Sequence, residues 1–91
     1  MDAFEAVACS SSVPFITAVS GDALRRVFIT GDVPAEFAPH IDRMLNELPI
    51  ALLARFVFAY PKSERTAVTA NFATLAKNYG AEARIDAWLN G

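Results

Sequence analysis

The sequence predicts an all-α fold of five to seven short helices, forming one domain over residues 1–91. Three observations carry this reading. Leu24, Val27 and Phe28 recur at spacings of 3 and 4, the helical period, and not at the strand period of 2. The apolar run at 50–60 is rich in Ala and Leu, with Ile50 and Val57 its only β-branched residues. Gly31 followed by Asp32 reads as a helix stop followed at once by a helix start. The competing arrangement is α+β. In it an N-terminal hairpin turns at Ser20-Gly21-Asp22 and residues 52–60 supply a third strand.

Taken in order, "SSSVPF" offers serine caps followed by Pro14 in a first helical turn, where the missing N–H costs nothing. "SGDALRRVFITG" starts a helix at Ser20 and stops it at Gly31, with Arg25 and Arg26 opposite the apolar face. "DVPAEFAPHIDRMLNEL" predicts a helix capped by Asp32, with Pro34 in its first turn. Val33, Phe37, Ile41, Met44, Leu45 and Leu48 make one stripe along it. Pro39 lies within that pattern and is expected to shorten or bend the first turn. After the run at 50–60, Ser63 caps a helix whose inner face is Ala67, Val68, Asn71, Phe72, Leu75, Ala76 and Tyr79, ending at Gly80. A last short helix brings Ile85, Trp88 and Leu89 together before Asn90 and Gly91.

The run between Pro49 and Pro61 is too short for a membrane span, which needs about 20 apolar residues. It reads instead as the central core helix, covered by the helices at 33–48 and 63–79. Leu52, Phe56 and Ala59 lie on one side and Ile50, Leu53, Val57 and Tyr60 on another. Its remaining side carries Arg55, which must reach water or pair with an acid such as Glu47.

Composition narrows the function class. Hydrophobic residues make up 54% of the chain and the mean hydropathy is +0.30. That is a modest surplus for a domain that buries only about 60–65% of its unfolded surface. Either a second copy or another protein covers some apolar surface, or a dense core with many alanines absorbs it. Cys9 is the only cysteine, so neither an intramolecular disulfide nor a cysteine-based zinc site is available, and the usage fits a reducing, cytoplasmic compartment. The start "MDAFEAVACSSS" carries acids and does not read as a signal peptide. Net charge is −2, divided as −4 over 1–47 and +2 over 48–91. Neither half has the basic run of a strong nucleic-acid binder.

No constellation identifies a chemistry, and no cofactor or metal is expected. His40 is the only histidine. With Glu36 four residues before it and no second histidine, it reads as a surface group beside a carboxylate, not as a metal ligand. Cys9 reads as a small apolar residue at a helix end, and nothing pairs it with His40 and Asp42 as a nucleophile with its base. The four glycines are isolated and form no phosphate loop. The segment at 72–90 resembles a helix-turn-helix in outline, which implies a DNA-binding regulator. It departs from the pattern at Ala81 and in the register of the second helix, whose charges are Glu82, Arg84 and Asp86.

The reading that fits best is a small non-enzymatic protein-binding domain: an adaptor, an assembly subunit, or an inhibitor of a larger machine of the kind phages encode. It would act on another protein or as a homodimer. Its expected partner-binding residues are Arg25, Arg26, Phe28, Arg55, Tyr60 and Trp88.

Overall fold

A computed structural model describes residues 2–11 and 20–91. Among these residues there are six α-helices and no strands: α1 (Ala3–Ser10), α2 (Gly21–Thr30), α3 (Ala38–Glu47), α4 (Ile50–Phe58), α5 (Arg65–Asn78) and α6 (Glu82–Asn90). The all-α reading holds, and the helices at 21–30 and 50–58 replace both the second arm of the hairpin and the third strand. The helix start expected around Pro14 lies outside the described residues.

Local chemistry sets most boundaries. Asp2 caps α1, its carboxylate accepting from the Glu5 N–H at 2.9 Å. Ser20 caps α2 as expected, accepting from the Ala23 N–H at 3.1 Å, and Gly31 ends that helix at φ 79°. A side chain at Gly31 would be strained twice over, by that backbone angle and by a Cβ 3.0 Å from Asn71 Oδ1. Gly21 is required for a different reason. A Cβ there would meet the Glu5 backbone nitrogen at 2.7 Å, so α1 and α2 touch only because position 21 has no side chain.

Two expected helix starts are corrected. The stripe from Val33 to Leu48 is not one helix: Ala35–Phe37 is a 3-10 turn and α3 begins at Ala38. Pro39 decides this, because proline fits only the first turn, where no N–H is needed. Asp32 therefore caps nothing, and its N–H donates to Thr30 Oγ1 at 3.2 Å. Likewise Lys62–Glu64 is a 3-10 turn after Pro61, so α5 starts at Arg65 and Ser63 is not its cap.

The core is organised around aromatic rings that join five of the six helices. Phe4 of α1 meets Phe56 of α4 and Tyr60 edge-on, with centroids 5.3 and 4.9 Å apart. Phe56 meets Phe28 of α2 at 5.5 Å. Phe28 stacks on Phe72 of α5 at 4.2 Å, and Phe72 meets Trp88 of α6 edge-on at 5.6 Å. α3 fills the rest of the core with Ile41, Met44 and Leu45, all fully buried. Edge-on and stacked pairs of this kind add about 0.5–1.5 kcal/mol each beyond their buried area. Beside α4 lie α1 and α5, so α1 takes the covering role expected of the 33–48 segment.

Helix C-termini carry unpaired carbonyls, and four of them are closed by side chains from beyond the helix, three of these distant in sequence. Asn71 donates to the Phe28 and Ile29 carbonyls at the end of α2, at 2.6 and 3.3 Å. Arg84 donates to the Leu45 and Leu48 carbonyls at the end of α3. Arg65 donates to the Phe58 and Tyr60 carbonyls at the end of α4, at 3.1 and 3.2 Å. Asn46 donates to the Tyr79 carbonyl after α5, at 3.0 Å. The two arginines also place positive charge at the negative ends of helix dipoles. No helix among the described residues is long and apolar enough to cross a membrane.

Candidate functional site

The partner-binding residues expected from the sequence separate into a buried and an exposed group. Phe28 is 0% exposed and Tyr60 is 1% exposed, so both are core residues with no surface to offer. Their burial follows from position: Phe28 shares the inner face of α2 with Leu24 and Val27, and Tyr60 closes the end of α4 against Phe4. The Tyr60 hydroxyl donates to the Arg25 carbonyl at 2.7 Å. Burial pushes its phenol well above the ordinary value; the Arg25 guanidinium opposes that and the Glu64 carboxylate adds to it. Trp88 is half-buried at the edge of the core.

Arg25 is half-buried. Its guanidinium lies 5.8 Å from the centroids of both Phe4 and Tyr60 and pairs with Glu64 at 3.5 Å. These contacts make it a strut between α1, α2 and the turn before α5. Arg26 is exposed and pairs with Asp22, one turn back on α2, at 2.8 Å. It borders a shallow groove of about 300 Å³ lined by Ala23, Val27, Thr30, Pro34 and Phe37.

Arg55 stands apart from all of these, on the outward face of α4. It is exposed, as the sequence required, and neither of the ion pairs among the described residues involves it or Glu47. Helical spacing places Ala51 one turn before it and Phe58 one turn after it, and both are exposed. Phe58 is 66% exposed and is the one large hydrophobic side chain among the described residues left in water. Its ring lies 5.1 Å from the Arg65 guanidinium, which Phe58 and Tyr60 hold through their carbonyls. Ala59, Pro61 and Lys62, also exposed, continue the surface beyond the helix. The result is an apolar strip with an aromatic centre, bordered by Arg55, Lys62 and Arg65.

Sequence reasoning missed Phe58, although its signal was present. Once Leu53, Phe56, Val57 and Tyr60 point inward, positions 51, 55 and 58 are what remains of the helix surface.

The other candidates resolve differently. His40 is not a surface group but is fully buried, with Nδ1 3.1 Å from the Ser11 carbonyl. A carbonyl only accepts, so Nδ1 carries the proton; Nε2 is buried without a hydrogen-bond partner. His40 joins Ile41, Met44 and Leu45 on the inner side of α3, which is why it leaves the surface. Cys9 lies in α1 and is exposed, not packed as a small apolar residue. Among the described residues no cluster of His, Cys, Asp and Glu has the makings of a metal site. In the C-terminal pair, Gly80 adopts φ 74° between α5 and α6, and Arg84 is bound to α3. The charges left on α6 are the exposed Glu82 and the half-buried Asp86. Comparison with protein-family models, curated proteins and solved structures finds no match.

Proposed function

We propose that this chain is a small non-enzymatic protein-binding domain, an adaptor, inhibitor or assembly subunit, that docks its partner on the outward face of α4. The observation that carries this is Phe58, 66% exposed one turn from Arg55. Burying the rest of that ring contributes about 1–2 kcal/mol, and arginine beside an aromatic is the composition of interface hot spots. Among the described residues the other large apolar side chains are buried or partly buried, so the exposed ring is a local exception there. An isologous homodimer through this face is disfavoured, because it brings Arg55 and Lys62 near their own copies.

The DNA-binding reading loses support from the same structure. Arg84, the one cation of the would-be recognition helix, is committed to the end of α3, and Glu82 and Asp86 repel phosphate. A lone exposed Cys9 accords with a reducing, cytoplasmic setting.

The test is site-specific photocrosslinking in the native host, with a photoreactive residue placed at 55, at 58 or, as a control, at Lys77 on α5. The expected result is a protein adduct of one defined mass from 55 and 58 and none from 77. Equal adducts from all three positions, or none from any, contradict the proposal.

A further inference from the structure

The charges around Phe58 point to the chemistry of what covers it. Between Met44 and Ala76 the cations are Arg55, Lys62 and Arg65, and all three border the exposed ring or follow it in sequence. The acids in that stretch are Glu47 and Glu64, and Glu64 is held by Arg25 at 3.5 Å. The patch is thus locally positive on a chain whose net charge is −2. Arg65 is oriented by its Nε and Nη2 bonds to backbone carbonyls while its guanidinium lies over the Phe58 ring. A guanidinium has five N–H donors, so others remain for an incoming acceptor. Arg55 and Lys62 are exposed at either end of the strip.

We infer that the partner is another protein offering an acidic amphipathic helix, whose apolar face seats on Phe58 and whose flanking carboxylates meet Arg55, Lys62 and Arg65. This rests on the reading of α4's outer face as the docking surface and adds the chemistry of the occupant. The surface is a helix face about two turns long, which suits a second helix laid along it. Its apolar centre requires an apolar anchor, and its cationic border selects carboxylates. A second copy fits poorly, since two such faces repel. A nucleic acid fits less well than an acidic helix, because a single exposed aromatic with three cations lacks the stacked rings and long basic track that strands require.

The experiment uses the full chain, ¹⁵N-labelled, and three synthetic amphipathic helical peptides with the same leucine face. One has that face flanked by glutamates, one by glutamines and one by lysines. The expected result is that the glutamate peptide shifts the amide resonances of 51–65 and binds at least about ten-fold more tightly than the lysine peptide at low salt. That ratio shrinks several-fold as screening rises. Arg55→Glu should exchange the preference towards the lysine peptide, and Phe58→Ser should weaken binding of all three. Both positions are exposed, so the fold survives the changes, and circular dichroism confirms it.

Equal binding of the three peptides at 51–65 overturns the acidic-partner inference and leaves the docking face standing. If no peptide shifts those resonances, both ideas fall. Tighter binding of an oligonucleotide on the same residues, or dimerisation through them, overturns the inference by identifying a different occupant.

Discussion

Phe56 and Phe58 lie two residues apart on one helix and have opposite surroundings. Phe56 is 0% exposed and touches the rings of Phe4, Phe28, Tyr60 and Phe72. Phe58 is 66% exposed and touches a guanidinium. The residue type is the same and the local propensity is the same. Two positions on a 3.6-residue turn reverse the direction of the side chain, and that alone separates a residue that holds the fold from one that offers a surface. The lesson is that hydrophobicity in this chain is not a single quantity. Among the described residues most of it closes the core, and a small part faces outward.

Substitutions can break this contrast on its inner side first. Phe56→Ala should cost about 3–5 kcal/mol by leaving a cavity among four rings, enough to unfold most of a domain this small. Urea denaturation measures it. Next comes the joint between the two faces. Arg65→Ala removes two bonds to the end of α4 and the contact over Phe58, and should cost about 1–2 kcal/mol by the same measurement.

Tyr60→Phe keeps the ring and loses the hydroxyl bond to the Arg25 carbonyl, for about 1 kcal/mol at neutral pH. It also carries a pH signature. The folded state holds Tyr60 as the neutral phenol, above its ordinary value. Its contribution is therefore fully present below the unfolded value of about 10 and declines as pH rises beyond it. The wild-type chain should lose stability in that alkaline range, and Tyr60→Phe should lose less. Parallel pH–stability curves for the two chains contradict the placement of Tyr60.

On the outer side the expected stability effects are small. Arg55→Glu and Lys77→Glu should each change stability by under about 0.5 kcal/mol, since both positions are exposed. They should differ in partner binding, where Arg55→Glu has the large effect and Lys77→Glu almost none. Equal effects on binding indicate that the edge carrying Arg55 is ordinary solvated surface.

How much of this was legible in the sequence depends on how far apart the deciding groups lie. α2 was readable almost completely, because Ser20 and Gly31 are local signals. The start of α3 was also readable in principle, since Pro39 confines it, but the apolar stripe through Val33 and Phe37 suggested a longer helix. Those two residues do pack on the core, from a 3-10 turn and the segment before it. Ala67, expected inside α5, is exposed, while Val68, Phe72, Leu75 and Ala76 are buried as expected.

Three kinds of feature were not legible. The caps made by Asn71, Arg84 and Asn46 close helix ends across the fold, so only three-dimensional proximity reveals them. The buried His40 ring finds its hydrogen-bond acceptor in the Ser11 carbonyl, 29 residues earlier. For the candidate surface, the charge of Arg55 marks it as exposed, whereas Phe28 is turned inward by the period of α2 and Tyr60 packs inward just beyond the end of α4. Phe58 was overlooked because an exposed phenylalanine is identified only after its neighbours have been assigned to the core.

The central claim is that the outward face of α4 binds and does not stabilise. Its most direct test is one variant read two ways: Phe58→Ser, in a chain carrying a photocrosslinker at position 51. The expected result is a melting temperature within about 2–4 °C of the parent, corresponding to under about 0.5 kcal/mol, together with loss of the crosslinked adduct. A large fall in melting temperature with the adduct retained would contradict it.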